Sequence, residues 1–364
     1  NNPFPDGIQP PPGSSLGVNT YLGKGISYFN AAPQTPYTVR WNLNVQRQLA
    51  QNVVAEIGWL MNHTVHMGVD AEANFVPARY LSTARERDQA AIDYLSASVA
   101  NPFAGLLPGS NINGSVVSRS QLLKPFPQFT GINAKHLSDG SSYAHMLMAR
   151  IDKRFASGLQ LQANFQYSRV MQKLDRLNES DPAPVKRVSS EDRPLRLVTS
   201  GLYSLPFGRG KRFLGGAPGW LDQLAGGWLL SGVLVSQSGP PLEWGNVIYL
   251  GGDLRMDPTN IDRAFDTSRF NTNSRQQLGS NLRTFPMTFS NLRAAGIVSV
   301  DLAAVKDFPI RERLKLQYRC EFFNAPNHPL FDAPDVSPTS TTFGRIQNQT
   351  NLPRSIQMSL KVAW

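Results

Sequence analysis

Between Tyr37 and Gln46 hydrophobic and polar residues alternate almost without exception. Tyr37, Val39, Trp41, Leu43 and Val45 fall on one side, and Thr38, Arg40, Asn42, Asn44 and Gln46 on the other. Successive side chains of a strand point to opposite faces, so a period of two predicts a two-faced β-strand. After the link Ala50, Gln51, Asn52 the alternation resumes, with Val53, Ala55, Ile57, Trp59 and Met61 opposite Glu56, Gly58 and Asn62, which predicts a hairpin. Leu159, Leu161, Ala163, Phe165 and Tyr167 alternate in the same way with Gln160, Gln162, Asn164, Gln166 and Ser168. The partner segment, Tyr143 to Phe155, is less regular, because His145 and Lys153 fall on its apolar side. Further strands are predicted from Leu195 to Leu205, Gly227 to Gln237, Ile297 to Lys306 and Arg313 to Phe323. The chain closes with Ile356, Met358, Leu360, Val362 and Trp364 on one side of a last strand, against Ser355, Gln357, Ser359 and Lys361. The reading is an all-β fold of about nine antiparallel strands.

The connections alternate between short and long. Short links follow Leu49, Phe155 and Lys306, a Gly-rich link follows Leu205, and the rest are long. Long unstructured loops are uncommon in compact soluble domains, whereas a membrane barrel has short periplasmic turns and long outer loops. With a periplasmic carboxyl terminus, every short link falls on the inner side. One long connection is expected to hold a helix over Arg87 to Val99, because Thr83 and Glu86 have capping-box spacing. The segments Gly239 to Arg293 and Asn324 to Thr342 are crowded with turn residues and are expected as ligand-accessible loops.

Alternation alone does not separate a soluble sandwich from a membrane barrel. The polar faces here are rich in Gln, Asn, Ser, Arg and Gly rather than Lys and Glu, as a hydrated lumen would be. The strands match the roughly nine to eleven residues of a tilted span. Aromatics cluster at their ends, with Phe155, Tyr203, Trp228 and Trp364 at one level and Tyr37, Tyr143, Tyr167 and Phe322 at the other, as in the two girdles of a barrel.

Composition narrows the choice further. Charged residues make up 17% of the 364, while aromatics reach 10%, which argues against intrinsic disorder. No apolar run approaches the roughly 18 residues of a helical span. The net charge of +10 is scattered without a basic block, so nucleic acid is not an expected partner. Cys320 is the single cysteine, which excludes an internal disulfide, and on the apolar row it reads as a small hydrophobe.

Four blocks then stand out: SGLYSLPFGRGKRFLG (Ser200 to Gly215), GGWLLSGVLVSQSGPPL (Gly226 to Leu242), EFFNAPNHPLF (Glu321 to Phe331) and FGRI (Phe343 to Ile346). Together with the aromatic-ended last strand, they resemble the Oar-like branch of TonB-dependent outer-membrane receptors, over about Pro36 to Trp364. The resemblance implies a carboxypeptidase-regulatory-like domain, a plug and a barrel of about 22 strands. It also implies partners: the outer-membrane lipid, the barrel-assembly machinery, the receptor's own plug and TonB, and an unknown extracellular ligand. This chain departs from the pattern by lacking a plug, a TonB box and the full strand number. The expected organisation is a partial extracellular loop over 1–35 and the C-terminal part of the barrel over 36–364, either a piece of a longer receptor or a truncated product. Transport by these residues alone is not expected.

Candidate chemistry is sparse. His63 and His66 have a chelating interval on a helix, but on a strand odd spacing sends them to opposite faces, so no metal site is expected. Gly208 to Arg212 partly matches a phosphate loop, yet lacks its spacing and a following helix, and reads as a basic turn. The acidic pairs Glu191 with Asp192 and Asp253 with Asp257 read as solvated loop residues. No catalytic group and no cofactor are expected. The functional candidates are the lumen-side residues Arg40, Asn42, Glu56, Gln160, Gln162, Asn164, Arg319 and Glu321, which would meet plug or substrate. Ile356, Met358, Leu360, Val362 and Trp364 are the expected membrane-assembly signal. The function read is a non-enzymatic receptor or transporter barrel in the bacterial outer membrane. A non-transporting adhesion or structural barrel, and a secreted all-β carbohydrate-binding protein, are the alternatives.

Overall fold

The computed structural model describes residues 17–107, 109–311 and 314–364. After β1 (Gly25–Phe29), the strands β2 (Tyr37–Ala50) and β3 (Val53–Glu72) form the first hairpin. The next connection holds α1 (Gln89–Ser96), β4 (Ser98–Ala100), β5 (Val116–Ser118) and α2 (Arg119–Leu122). The second hairpin is β6 (Gly131–Ala156) with β7 (Leu159–Lys173), followed by the short β8 (Arg187–Val188) and by β9 (Leu195–Ser204). Then come α3 (Gly219–Ala225), β10 (Trp228–Gln237), β11 (Pro241–Glu243) and β12 (Thr288–Arg293). β13 (Ile297–Arg311), β14 (Leu314–Phe323) and β15 (Ser355–Ala363) complete the chain.

The long strands lie side by side in the order β15-β14-β13-β10-β9-β7-β6-β3-β2. All these pairings are antiparallel. β2 and β15 are its two edges, so the sheet is open rather than closed into a barrel. Each of the nine predicted segments falls on one of these strands; Leu205, Gly227 and Trp364 lie one residue beyond the strand ends, and Arg313 lies outside the described residues. Within 1–35, expected as a partial extracellular loop, Gly25–Phe29 forms a short strand that pairs in parallel with the start of β6. Residues 1–16 lie outside the described residues.

Several strands extend beyond their predicted ends. β3 continues to Glu72 and β6 begins at Gly131, but their register slips between Val65 and Ala71. A bulge places two residues opposite one and breaks the period of two, so alternation loses the strand where pairing does not. His66 sits at such a slip with φ +57°. Its ring packs on Tyr37 and that of His63 on Tyr143, so the simple assignment of the two histidines to opposite faces fails there.

The helix predicted over Arg87 to Val99 is shorter. α1 begins at Gln89 and is capped by Asp88, whose carboxylate accepts from the Ala91 N–H at 3.0 Å. Thr83 and Glu86 do not cap it, because a carboxylate one residue before the first turn satisfies its free amide directly.

Registers place the connections. Ala50 pairs Val53, Ala156 pairs Leu159, Ser204 pairs Leu229 and Arg311 pairs Leu314, so these four links share one end of the sheet. The connections after β3, β7, β10 and β14 leave from the other end.

Among the described residues no second layer covers the apolar face. Trp41 is 62% exposed and Phe165 40%, and Leu43, Val45, Ile57 and Tyr167 are exposed beside them. The buried core lies elsewhere, in the long connections. Leu242, Trp244, Val247, Leu254, Phe265, Phe270, Phe285 and Leu292 form one cluster, against which Tyr249, Phe289, Val336, Phe343 and Ile346 pack. Trp244 stacks on Phe270 at 4.9 Å between centroids and meets Phe265 edge-on at 5.1 Å. Two connections build this cap together: Ala264 N–H donates to Gly344 O, and Ile346 N–H to Ile261 O, both at 2.9 Å.

Candidate functional site

Alternation assigns a residue to a face, and register decides which residues of that face are neighbours. One row across the polar face reads Gln46, Glu56, Arg150, Asn164, Val198, Val235 and Ser299. The next reads Val54, Asp152, Gln162, Ser200, Val233 and Asp301. A third reads Gln160, Leu202, Ser231, Ala303, Glu321 and Gln357. All eight candidates, Arg40, Asn42, Glu56, Gln160, Gln162, Asn164, Arg319 and Glu321, lie on this one face.

Four of them come together. Gln160, Gln162, Arg319 and Glu321 line a concavity of about 440 Å³ with Ser200, Ser231 and Asp301. Arg319 Nη2 donates to Glu321 Oε1 at 2.6 Å, which neutralises that pair. Asp301 accepts from the Asn324 N–H at 2.8 Å and anchors the connection after β14. Asn164 lies in an adjoining hollow with Met148, Gln166 and Arg196. Glu56 faces Arg150, while Arg40 and Asn42 stand on the edge strand, where Arg40 Nε donates to Asn62 Oδ1 at 2.8 Å. The hollow therefore offers amide, hydroxyl and paired charged groups to a polar surface.

Ile356, Met358, Leu360, Val362 and Trp364 lie on the apolar side and are all exposed, Trp364 the most. The exceptions on the apolar rows find local partners. His145 stacks on Trp59, and Lys153 Nζ reaches the turn carbonyls of Ala156 and Leu159 at 3.1 and 3.2 Å. Cys320, between Ala304 and Met358 in that row, is covered by its neighbours and buried.

The end of the sheet that carries the long connections holds features that alternation does not reveal. Asp192 is completely buried, not solvated as its neighbourhood predicted. Its carboxylate accepts from Arg293 Nη2 at 2.5 Å and from the Val170 N–H at 2.6 Å, and Arg293 Nη1 reaches Asp192 O at 2.9 Å. Asp253 is exposed as expected; Arg255 and its backbone N–H hold that carboxyl down at about 2. Asp266 is held down to about 2 as well, by the Ser268 hydroxyl and N–H and by Arg263. A larger cavity of about 580 Å³ opens between the outer connections, lined by Asn74, Lys124, Asn178, Asn246, Asn281 and Arg283 among others. Burial and nearby Arg187 push the Arg283 guanidinium below its usual range, and its nitrogens donate to the backbone oxygens of Trp244 and Phe285. Clusters of Asn between turn residues are a weak signal in sequence, since the same residues serve any surface loop.

At the other end, Gly208 to Arg212 is a tight turn, as read, but a helix does follow it: α3, after a further stretch of turn. Among the described residues, no three His, Cys, Asp or Glu side chains stand close enough to share a metal ion.

The sequence profile of a family described as an outer membrane beta barrel domain matches residues 1–357. Among solved structures, the chain is similar to the outer membrane transporter YddB from Escherichia coli, with a TM-score of 0.40, 10% identity, and coverage of 91% of this chain and 33% of that one. It is also similar to the FrpB iron transporter from Neisseria meningitidis, with a TM-score of 0.39, 10% identity, and coverage of 92% and 32%. A third is BauA, the ferric preacinetobactin receptor from Acinetobacter baumannii, with a TM-score of 0.39, 9% identity, and coverage of 89% and 29%. The chain thus spans about a third or less of each of these structures. No curated protein matches it in sequence. With the profile running over nearly its whole length, the chain belongs to the outer membrane β-barrel domain family, and its place is the bacterial outer membrane.

Proposed function

We propose that the chain is the C-terminal part of the barrel of a TonB-dependent receptor of the Oar-like branch, a non-enzymatic transporter. In this reading the apolar face meets lipid, the polar face lines the lumen, and the outer cap receives the ligand. One observation carries it: a single-layer sheet leaves its large apolar side chains uncovered, while the only extended buried core among the described residues lies in the outer connections. Hydrocarbon covers such a face without a second layer. Hydrocarbon cannot, however, satisfy free backbone groups, so the open edges of β2 and β15 call for further strands. The face with Gln160, Gln162 and Asn164 would then meet water, plug or passing substrate, and the closing strand ending in Trp364 would guide assembly.

The test is genetic. Nutrient arrays of iron chelates, oligosaccharides and peptides are scored for cells lacking the gene and for cells lacking TonB. A transporter predicts that the nutrient lost in the first strain is lost in the second as well. An adhesion barrel predicts lost attachment with uptake unchanged.

A further inference from the structure

The link between β9 and β10 is the longest at its end of the sheet, and it is not a plain turn. Phe207, Phe213, Leu214, Trp220 and Leu224 all stand exposed on it, with Trp220 at 66% and Leu224 at 63%. In α3, Trp220 and Leu224 are four residues apart and share one face of the helix. Asp222 lies on the opposite face and is tied inward, its carboxylate accepting from the Arg209 N–H at 2.6 Å. That closure needs glycine. Gly208 has φ +112°, and a Cβ there would come within 2.8 Å of Gly226 Cα. The turn is thus folded so that its apolar groups face outward.

Two further contacts give the direction. Trp228 and Lys306 are cross-strand partners on the same face as Leu230, Leu302 and Tyr318, the apolar face of the sheet. Trp228 Nε1 donates to Leu224 O at 2.9 Å, and Lys306 Nζ donates to Gly226 O. Both side chains hold the end of α3 from the apolar side, so its exposed apolar residues continue the apolar face of the sheet past the strand ends. The same link carries Arg209, Lys211 and Arg212, all exposed, and no salt bridge is formed by any of them within the described residues.

We propose that this link is an interfacial anchor for anionic phospholipid in the inner leaflet, with Trp220 and Leu224 seated at the acyl boundary and Arg209, Lys211 and Arg212 on the phosphates. The inference rests on the reading that the apolar face of the sheet meets lipid. Continuity with that face and charge complementarity select a lipid surface over a protein partner: a buried apolar strip flanked by cations is how interfacial helices bind membranes. Basic residues at an anionic surface add roughly fivefold each to its preference.

The test uses the intact receptor that contains this chain, reconstituted in bilayers, with Cys320→Ser as background. Spin labels are placed at Trp220→Cys, Leu224→Cys, Gly216→Cys and, on the sheet, Leu43→Cys. Collisions with oxygen should exceed those with an aqueous nickel chelate at positions 43, 220 and 224, and the reverse should hold at 216. An aqueous signal at 220 and 224 beside a lipid signal at 43 overturns the anchor and leaves the barrel reading standing. An aqueous signal at 43 overturns both. A fluorophore at 224 should also be quenched several-fold more by doxyl-labelled phosphatidylglycerol than by doxyl-labelled phosphatidylcholine. Arg209→Gln, Lys211→Gln and Arg212→Gln together should remove that excess. Equal quenching in the parent, or an excess that survives the triple substitution, refutes the role given to the cations.

Discussion

Phe165 and Gln162 stand on the same strand and differ only in parity, and parity decides what each can tolerate. Phe165 lies in the apolar row between Ala149 and Leu197; Gln162 lies on the polar face between Asp152 and Ser200. Phe165→Arg should lower folding stability in bilayers by roughly 2 to 4 kcal/mol, the cost of a cation near mid-depth on the lipid face. Gln162→Arg gains a carboxylate neighbour in Asp152 and should be nearly neutral. Titration of heat-modifiable folding in lipid bilayers compares them, and equal losses would contradict the assignment of faces. At this scale the face on which each candidate residue stands was legible in advance, because a period of two needs no tertiary knowledge. What was not legible is illustrated by Asp192. Beside Glu191 in a polar stretch it reads as solvated, and the arrival of Arg293, a hundred residues downstream, adds to the Val170 N–H and the more distant Arg169 the close cation that makes a buried carboxylate tolerable.

Among the elements, the strands and the outer connections obey different rules. The strands were readable until a bulge intervened: β3 is predicted to Met61 and runs to Glu72 because register slips beyond Val65 hide its continuation from any periodic reading. The connections have no period at all. Their turn residues were recognised, but Trp244, Phe265, Phe270, Phe285 and Phe343 are spread over a hundred residues and show no pattern until the chain folds. Asp266 organises part of this cap, accepting from Ser268 and from Arg263 and Arg269. Its folded-state carboxyl is depressed to about 2. The stabilisation is therefore present above its ordinary value near 4 and is lost as pH falls through about 2. Asp266→Asn should loosen amide-exchange protection around Thr267–Phe270 at neutral pH, and the difference from the parent should vanish near pH 2.

For the whole molecule the question is how an outer cap with its own core stays registered on an open sheet. Arg293 is the junction: it ends β12, meets Asp192 beside β7 and also donates to Gly239 O at 3.2 Å. Arg293→Met should weaken that docking by up to about 3 to 5 kcal/mol, since it leaves the buried Asp192 carboxylate with only the partly exposed Arg169 guanidinium, 3.9 Å away, as a cationic partner. Adding Asp192→Asn should restore much of it. Limited proteolysis of the 239–295 connection would follow both variants, and a single substitution that leaves the cleavage rate unchanged would show that the cap is held elsewhere.

Nine strand segments, their two faces and the end at which each link lies could be read from the chain alone, because these follow from the alternation of side chains along an extended backbone and from the spacing of turns. So could the presence of one face apolar enough to need covering. Folding in three dimensions settles the rest: among the described residues no second layer covers that face, the buried aromatic core belongs to the long connections, and Asp192 meets Arg293. Those facts depend on contacts between residues far apart in the chain, and a local pattern carries no information about distant partners.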